Sequence, residues 1–479
     1  TAVELSAIES GTGGFVINGV SAFDQSGRSV SSAGDVNGDG FDDLIVGAHY
    51  DDPNGNRDSG ASFVVFGKTD GTAVELSAIE SGTGGFVING VSAFDQSGRS
   101  VSSAGDVNGD GFDDLIVGAF RADPNGNSDS GASFVVFGKT DGTAVELSAV
   151  EAGTGGFVIN GVSANDRSGA SVSSAGDVNG DGFDDLIVGA PFDDPNGSYS
   201  GASFVVFGKT DGTAVELSAV EAGTGGFVIN GVSANDRSGA SVSSAGDVNG
   251  DGFDDLIVGA PFDDPNGSYS GASFVVFGKT DGTAVELSAV EAGTGGFVIN
   301  GVSANDFSGT SVSSAGDVNG DGFDDLIVGA FRADPNGNSD SGASFVVFGG
   351  DFSGAATEIG TVGDDNLTGT MAADVIFAGT GDDTLDGGGG TDRLSGGAGA
   401  DTFTLRNLDG TATVIDFDGA EGDRLDVSDF GFADFAAFSA LLASEGPGGH
   451  DTRITLDADT VVILENITSD DLVASHVIL

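Results

Sequence analysis

The stretch Asp35–Ile45, DVNGDGFDDLI, returns unchanged at 106–116, 177–187, 247–257 and 317–327. Each copy places Asp, Asn and Asp at positions 1, 3 and 5, glycine at 6 and Asp at 9, then runs into an apolar segment. Hard oxygen donors at alternating positions converge on one cation when a glycine lets the loop turn sharply. The donors are Asp35, Asn37, Asp39 and Asp43 in the first copy, and Asp106, Asn108, Asp110 and Asp114 in the second. They are Asp177, Asn179, Asp181 and Asp185, then Asp247, Asn249, Asp251 and Asp255, then Asp317, Asn319, Asp321 and Asp325 in the others. The main-chain carbonyl at position 7, from Phe41, Phe112, Phe183, Phe253 or Phe323, is a further expected ligand. Calcium, with six to eight oxygen ligands in flexible geometry, suits this set, and no nitrogen or sulfur ligand favours zinc or copper. The loop departs from an EF-hand, because no Glu stands at position 12 and a strand follows instead of a helix. A plain Asx-rich hairpin turn is the alternative for a single copy, and fivefold identity of every donor argues against it. Asp42 and its equivalents adjoin the loop and are expected to face solvent.

Working outward, TAVELSA begins at 1, 72, 143, 213 and 283, which divides the chain into units 1–71, 72–142, 143–212, 213–282 and 283–350. The first unit reads as four extended runs, GFVING (14–19), RSVSSAG (28–34), DLIVGA (43–48) and ASFVVFG (61–67), separated by the turn sequences NGDG, DPNG and KTDG. Four short strands per repeat is the arithmetic of a propeller blade. A stacked solenoid is the competing architecture.

After a linker at 351–359 the period shortens to nine, in units starting at 360, 369, 378, 387 and 396 and ending at 404. They follow G-G-x-G-x-D-x-U-x, where U is a large apolar residue. The second unit has Ala372 in place of the glycine at position 4. A disordered Gly/Asp linker is the alternative, and five consecutive units in one register argue against it. The final segment, 405–479, reads as a small β-rich cap. Phe432, Phe435, Phe438, Leu441 and Leu442 approach helical spacing before GPGG at 446–449, and ITLDADTVVILENI reads as a hairpin.

The chain has 479 residues with 75 Asp+Glu against 15 Lys+Arg, a formal charge of −60, and no cysteine. Nucleic acid is an unsuitable partner, because phosphate recognition needs basic patches. Disulfides and thiolate metal sites are excluded. Uncompensated, this charge opposes a compact fold by self-repulsion, so bound cations are expected to hold it. No run approaches 18 apolar residues and no signal peptide is recognised, so membrane insertion is not expected. The chain starts at Thr1 on a repeat boundary, which reads as a mature, trimmed or partial chain.

D-x-N-x-D-G-x-x-D-L-I-V-G-A followed by G-A-S-F-V-V-F-G resembles the FG-GAP repeat of integrin α-subunit propellers and related bacterial proteins. GAP itself stands at Gly189–Pro191 and Gly259–Pro261. The resemblance implies an all-β fold, a β-propeller whose calcium loops join strands 1 and 2 of each blade. The family usually has seven blades and this chain has five units. GFVING then forms the outer strand of the preceding blade, and Phe15–Asn18 pairing with 342–349 would close a five-bladed ring. An open array, or absent N-terminal units, are the alternatives. The near-identical units differ mainly at FDQSGR/NDRSGA/NDFSGT and at HYDD/FRAD/PFDD, the 4–1 and 2–3 loops opposite the calcium loops. By resemblance that face binds ligands, through Phe23, Tyr50, Phe94, Phe120, Arg121, Arg167, Arg237, Phe307 and Arg332, although drift in solvent loops or packing of Phe between blades would also produce such differences.

The nine-residue units resemble the RTX repeats of secreted bacterial proteins. That resemblance implies a parallel β-roll in which Asp365, Asp374, Asp383, Asp392 and Asp401 share calcium between turns while Leu367, Ile376, Leu385, Leu394 and Phe403 stack inside. The tail, ending SDDLVASHVIL, is similar to the uncleaved type I secretion region of RTX proteins. Five propeller ions and roughly three or four β-roll ions would cancel about 16–18 charges. His49, His450 and His476 are scattered, and HExxH, GxSxG and P-loop motifs are missing, so no enzyme is expected within the chain. The expected role is a secreted calcium-binding surface or matrix protein of a Gram-negative-type bacterium. It would act in adhesion or as a unit of a filament, sheath or surface layer. Its partners would be an extracellular protein or glycan, or further copies of itself, and the type I machinery during export. The alternative is a carbohydrate- or protein-binding module of a larger exported RTX protein whose effector part lies N-terminal.

Overall fold

In this computed structural model the described residues are 4–320, 323–335, 338–350, 358–360, 363–371, 374–379, 381–406, 410–420, 422–445, 451–457, 460–464, 467–469 and 471–479. Asp321, most of the linker, Ala372, His450 and GPGG lie outside them. Two compact units form, one from 1–291 with 298–349 and the other from 292–297 with 350–479.

The first unit is a succession of antiparallel blades. In the first blade Ser29–Gly34 pairs with Asp43–Ala48, which pairs with Ala61–Val65, which pairs with Gly85–Asn89. The outer strand is therefore GFVIN of the next repeat, as the FG-GAP resemblance implied, and the same exchange recurs through Gly156–Asn160 and Gly226–Asn230. Alternation along DLIVGA sends successive side chains to opposite faces. Ile45, Val64, Phe86 and Ile88 leave one face of the first blade and meet Leu115, Val117, Phe134 and Val136 of the second. The same apolar set repeats between the second and third blades and between the third and fourth. Fully burying each such side chain contributes about 1.5–3 kcal/mol, so the blades are held by their neighbours more than by their own sheets.

Each TAVELSA segment adds an element the alternation pattern does not show. Leu76–Glu80 is a single helical turn that buries Leu76 and Ile79, and Leu147–Glu151, Leu217–Glu221 and Leu287–Glu291 repeat it. Five residues are too few to display helical periodicity.

The ring-closing pair does not form. Ile17–Asn18 runs parallel to Val74–Glu75, in the register that Ile88–Asn89 uses with Val145–Glu146. Among the described residues Ala343–Val347 pairs only with Asp325–Ala330, so the fifth blade has three strands. Val318, Ile327 and Val346 are 56%, 37% and 48% exposed, whereas their counterparts in the other four blades are fully buried. Among the described residues no strand pairing therefore joins the fifth blade to the first.

The second unit is a parallel β-roll. Val375–Phe377, Gly390–Ser395, Gly410–Val414 and Thr460–Leu464 pair in sequence in one sheet. Asn366–Thr368, Thr384–Asp386, Thr402–Thr404, Arg424–Asp426 and Val477–Ile478 make the other. Ile376, Leu385, Leu394 and Phe403 are fully buried between them, and Leu367 packs against that core. The β-rich C-terminal segment extends both sheets, so its strands add turns to the roll. Its helical turn is confined to Phe435–Ser439, and the expected hairpin is Asp451–Thr455 with Thr460–Leu464.

Candidate metal centres

The third blade shows how each propeller loop is built. A bulge between Ser174 and Gly176 ends the innermost strand, and Gly176 takes φ +71°, a left-handed conformation suited to glycine. Asp177 Oδ1 then accepts the amides of Gly180 and Asp181, at 2.7 and 3.0 Å, and its Oδ2 accepts Gly182 at 2.9 Å. Asp181 Oδ1 accepts the Phe183 amide at 3.0 Å. Asp185, fully buried, accepts the amides of Gly208 and Val178 at 2.9 and 3.1 Å and faces the Asn179 amide nitrogen at 3.2 Å. Burial pushes the Asp185 carboxyl up to about 8; the Gly208 amide partly offsets this, and the Asp181 and Asp177 charges add to it. Asp114 and Asp255 are likewise pushed up to about 8 by burial, and Asp43 to about 6.

Among the described residues no three His, Cys, Asp or Glu side chains converge closely enough to hold an ion by themselves. The expected donor set is mixed, and with its carboxylates engaged by loop amides an ion would draw on Asn179 and the Phe183 carbonyl as well. The Asn179 amide would present its oxygen after a half-turn, an orientation set by the hydrogen-bond network rather than by the backbone. An all-oxygen set around a buried carboxylate with unfavourable like charges beside it fits a hard divalent cation.

The loops are also latched to one another. Asp184 Oδ2 accepts the amide of Asp106 in the preceding blade at 2.8 Å, and the Asp184 amide donates back to the Asp106 carbonyl at 3.3 Å. Asp113, Asp254 and Asp324 make the same bond to Asp35, Asp177 and Asp247 at 2.7, 2.8 and 3.1 Å. This corrects the expectation that the eighth position faces solvent. Only Asp42, in the first blade, is exposed. The neighbouring Phe183 ring lies over Gly109, where an added methyl would stand 2.5 Å from it. The sequence spells FDD identically five times, and nothing in one copy reveals that Phe and the first Asp pack on the preceding loop.

In the roll the sixth-position carboxylates form two ladders one turn apart. Asp383 Oδ1 accepts the Asp365 amide at 2.7 Å, Asp392 Oδ1 the Asp374 amide at 3.0 Å and Asp401 Oδ1 the Asp383 amide at 2.8 Å. Oδ2 of Asp383 and of Asp401 is buried without a hydrogen-bond partner, as an oxygen meant for a cation would be. The ladder runs one rung beyond the expected set. Asp423 accepts the Asp401 amide at 2.9 Å, and burial pushes its carboxyl up to about 6. Its context GDRLD at 422–426 repeats TDRLS at 391–395, a signal displaced from the nine-residue count by the intervening chain.

On the opposite face of the propeller the variable residues do not act alike. Phe23 stands alone and 91% exposed. Arg57 covers Phe94 at 5.7 Å. Arg167 and Arg237 sit over Phe192 at 4.6 and 5.1 Å, Arg237 over Phe262 at 4.3 Å, and Arg332 over Phe307 at 5.2 Å. Phe192 and Phe262 were not among the expected residues, though PFDD contains them. Tyr50, Phe120, Arg121 and Arg167 line one cavity. Beneath these loops Asp166 and Asp236 accept the Ser163 and Ser233 amides at 2.9 and 2.8 Å. Burial, with the Asp193 or Asp263 carboxylate adding to it, pushes both up to about 7. A carboxyl raised from about 4 when unfolded favours the folded state while protonated, and that stability is lost as pH rises from about 4 through 7. D166N/D236N is therefore expected to melt several degrees higher than the parent at pH 8 in saturating calcium, and within a degree of it at pH 4.5, by differential scanning calorimetry.

These loops and ladders define a calcium-binding protein built from β-repeats. The FG-GAP repeat model matches residues 26–65, 97–136, 168–206, 238–276 and 308–347, and the RTX calcium-binding nonapeptide repeat model matches 359–390 and 368–403. The chain carries five FG-GAP repeats followed by RTX nonapeptide repeats. It is similar to integrin alpha-5 of Xenopus laevis, at 33% identity over 170 residues, covering 34% of this chain and 14% of that protein. Integrin alpha pat-2 of Caenorhabditis elegans is 31% identical over 243 residues, covering 48% of this chain and 18% of that protein. The chain thus spans less than a fifth of these relatives. Among solved structures, the AlgE6R3 subunit from the Azotobacter vinelandii mannuronan C5-epimerase is 32% identical, covering 25% of this chain and 80% of that one at a TM-score of 0.19.

Proposed function

We propose that this is an extracellular, calcium-folded adhesion protein that presents its variable loops to a foreign surface and has no catalytic role. The blade-to-blade latch carries the reading. An ion in one loop stiffens the next, so calcium would fix one face of the propeller as a unit and thereby position the arginine- and aromatic-bearing loops of the other. Five propeller sites, with the donors described above, and three or four in the roll would serve this. His49 and His476 stand in separate units, and no helix among the described residues is long and apolar enough to cross a membrane. The similarity to integrin α-subunits and to RTX repeats supports an extracellular setting, with the C-terminal segment acting in type I export from a Gram-negative-type cell. Surface-plasmon resonance of the calcium-loaded chain over immobilised glycans and matrix proteins tests it. The reading predicts a calcium-dependent signal that chelator abolishes, and uniform absence of binding would contradict it.

A second reading, a self-assembling structural unit, is favoured by the fifth blade. Ala343–Val347 offers an unpaired edge among the described strands, and Phe15–Asn18 has the sequence that pairs with this edge in the earlier blades. A second copy would supply it head to tail, a contact that propagates unless its rotation closes. Sedimentation velocity in calcium would then show concentration-dependent oligomers that I327D/V346D dissolves. A monomer at 100 μM would rule this out.

A further inference from the structure

The chain has only 15 Lys+Arg, yet four of its arginines, Arg28, Arg99, Arg121 and Arg167, gather around one cavity of about 430 Å³ on the loop face of the first three blades. No ion pair joins any of the four to a carboxylate among the described residues, although 75 acidic residues are available in the chain. Burial lowers the proton affinity of Arg99, and the charges of Arg28 and Arg121 facing it add to this, with the Tyr50 ring beside them. The Asp58 carboxylate acts on His49 but is paired with Arg57, so the like charges around Arg99 cost stability and the arrangement calls for an anion from outside.

Two buried groups point the same way. His49 is 2% exposed, lines the cavity, and its Nδ1 has no hydrogen-bond partner. Burial, with Arg99 and Arg28 adding to it, lowers its pKa to about 4, so it is a neutral imidazole at pH 7. Arg167 Nε is likewise buried and unpartnered. Of the five equivalent positions only His49 bears a ring that hydrogen-bonds; the others are Phe120, Pro191, Pro261 and Phe331. The walls add flat apolar surface. The Tyr50 ring lies 4.1 Å from the His49 ring, and Phe120 is flanked by Arg121 and Arg99 at 5.4 and 5.9 Å. Guanidinium groups stacked on rings keep their N–H edges free to grip an oxyanion. Rings beside an anion grip suit the flat apolar face of a sugar.

We propose that this cavity binds a carboxylate-bearing sugar residue of an acidic glycan, with Arg28, Arg99 and Arg121 holding the carboxylate, His49 and Arg167 satisfying neighbouring oxygens, and Tyr50 and Phe120 stacking on the ring. The site deepens the adhesion reading and rests on it for its purpose. Its test uses the full chain in saturating calcium, whereas failure of the adhesion reading shows on whole surfaces.

Isothermal titration with a glucuronate-containing hexasaccharide, its carboxyl-reduced neutral counterpart, a Glu-rich peptide and inorganic sulfate decides the matter. The expected result is saturable one-site binding of the acidic sugar at least tenfold tighter than any of the other three. R28Q/R99Q is expected to weaken it at least tenfold while melting no lower than the parent, because like-charge repulsion is relieved, and R453Q, in the second unit, leaves it unchanged. Circular dichroism of each variant confirms the fold. Equal binding of the neutral sugar, preference for the peptide, equal binding of sulfate alone, or undiminished binding by folded R28Q/R99Q would each overturn the assignment.

Discussion

Removing calcium with a chelator is expected to unfold the purified chain, with loss of its far-UV β signal and expansion by small-angle scattering. The chain holds a formal charge of −60 without a disulfide. Its propeller loops bury Asp114, Asp185 and Asp255 in surroundings that push their carboxyls up to about 8, so the charged form is disfavoured there at neutral pH until a cation compensates it. Its roll encloses Asp383 and Asp401 with one oxygen each unpartnered. A ligand that binds only the folded state at 100 times its Kd adds about 2.7 kcal/mol per site, and eight or nine such sites exceed the 5–15 kcal/mol by which ordinary domains are stable. Re-adding calcium should restore the β signal in a cooperative transition. Magnesium should do so poorly, since it demands a tighter octahedral shell.

The second large effect concerns the latch. Replacing Phe183 and Asp184 by alanine removes a ring packed over Gly109 and a charge-assisted bond to the Asp106 amide. Hydrogen bonds to charged groups contribute about 1.5–3 kcal/mol, and losing the half-buried ring adds about 1–3 kcal/mol. F183A/D184A should therefore destabilise the propeller by about 3 kcal/mol or more and raise the calcium concentration at half-folding. F41A/D42A makes the same chemical change in the first blade, where Phe41 is 47% exposed and Asp42 is exposed as well, and should cost under about 1 kcal/mol. Equal effects in chemical denaturation would show that each loop folds alone and that the latch contributes nothing.

Much of this was legible from residues. Short apolar runs such as DLIVGA and ASFVV, bounded by the turn sequences NGDG, DPNG and KTDG, mark the strands, and spacing by nine fixes which of Leu385, Leu394 and Phe403 turn inward. The resemblance to FG-GAP repeats also placed GFVIN in the preceding blade. What stayed hidden was whatever depends on a neighbour that an identical sequence cannot distinguish. Asp42 and Asp184 have the same flanks and opposite environments. Val318, Ile327 and Val346 read as core because their copies are core, and they are exposed because no further blade packs on them among the described residues. Asp423 escaped because the chain between Asp401 and Asp423 breaks the count of nine while the backbone still completes a turn. The convergence of Arg28 and Arg99 with His49 required the third dimension, since the first and second repeats bring them together from separate loops.

The most direct test of the central claim is the number of calcium ions on the folded chain, counted by native mass spectrometry with parallel circular dichroism. Eight or nine ions bound cooperatively with folding are predicted, about five from the propeller and three or four from the roll. A fully β-folded chain carrying none or only one or two would contradict the account.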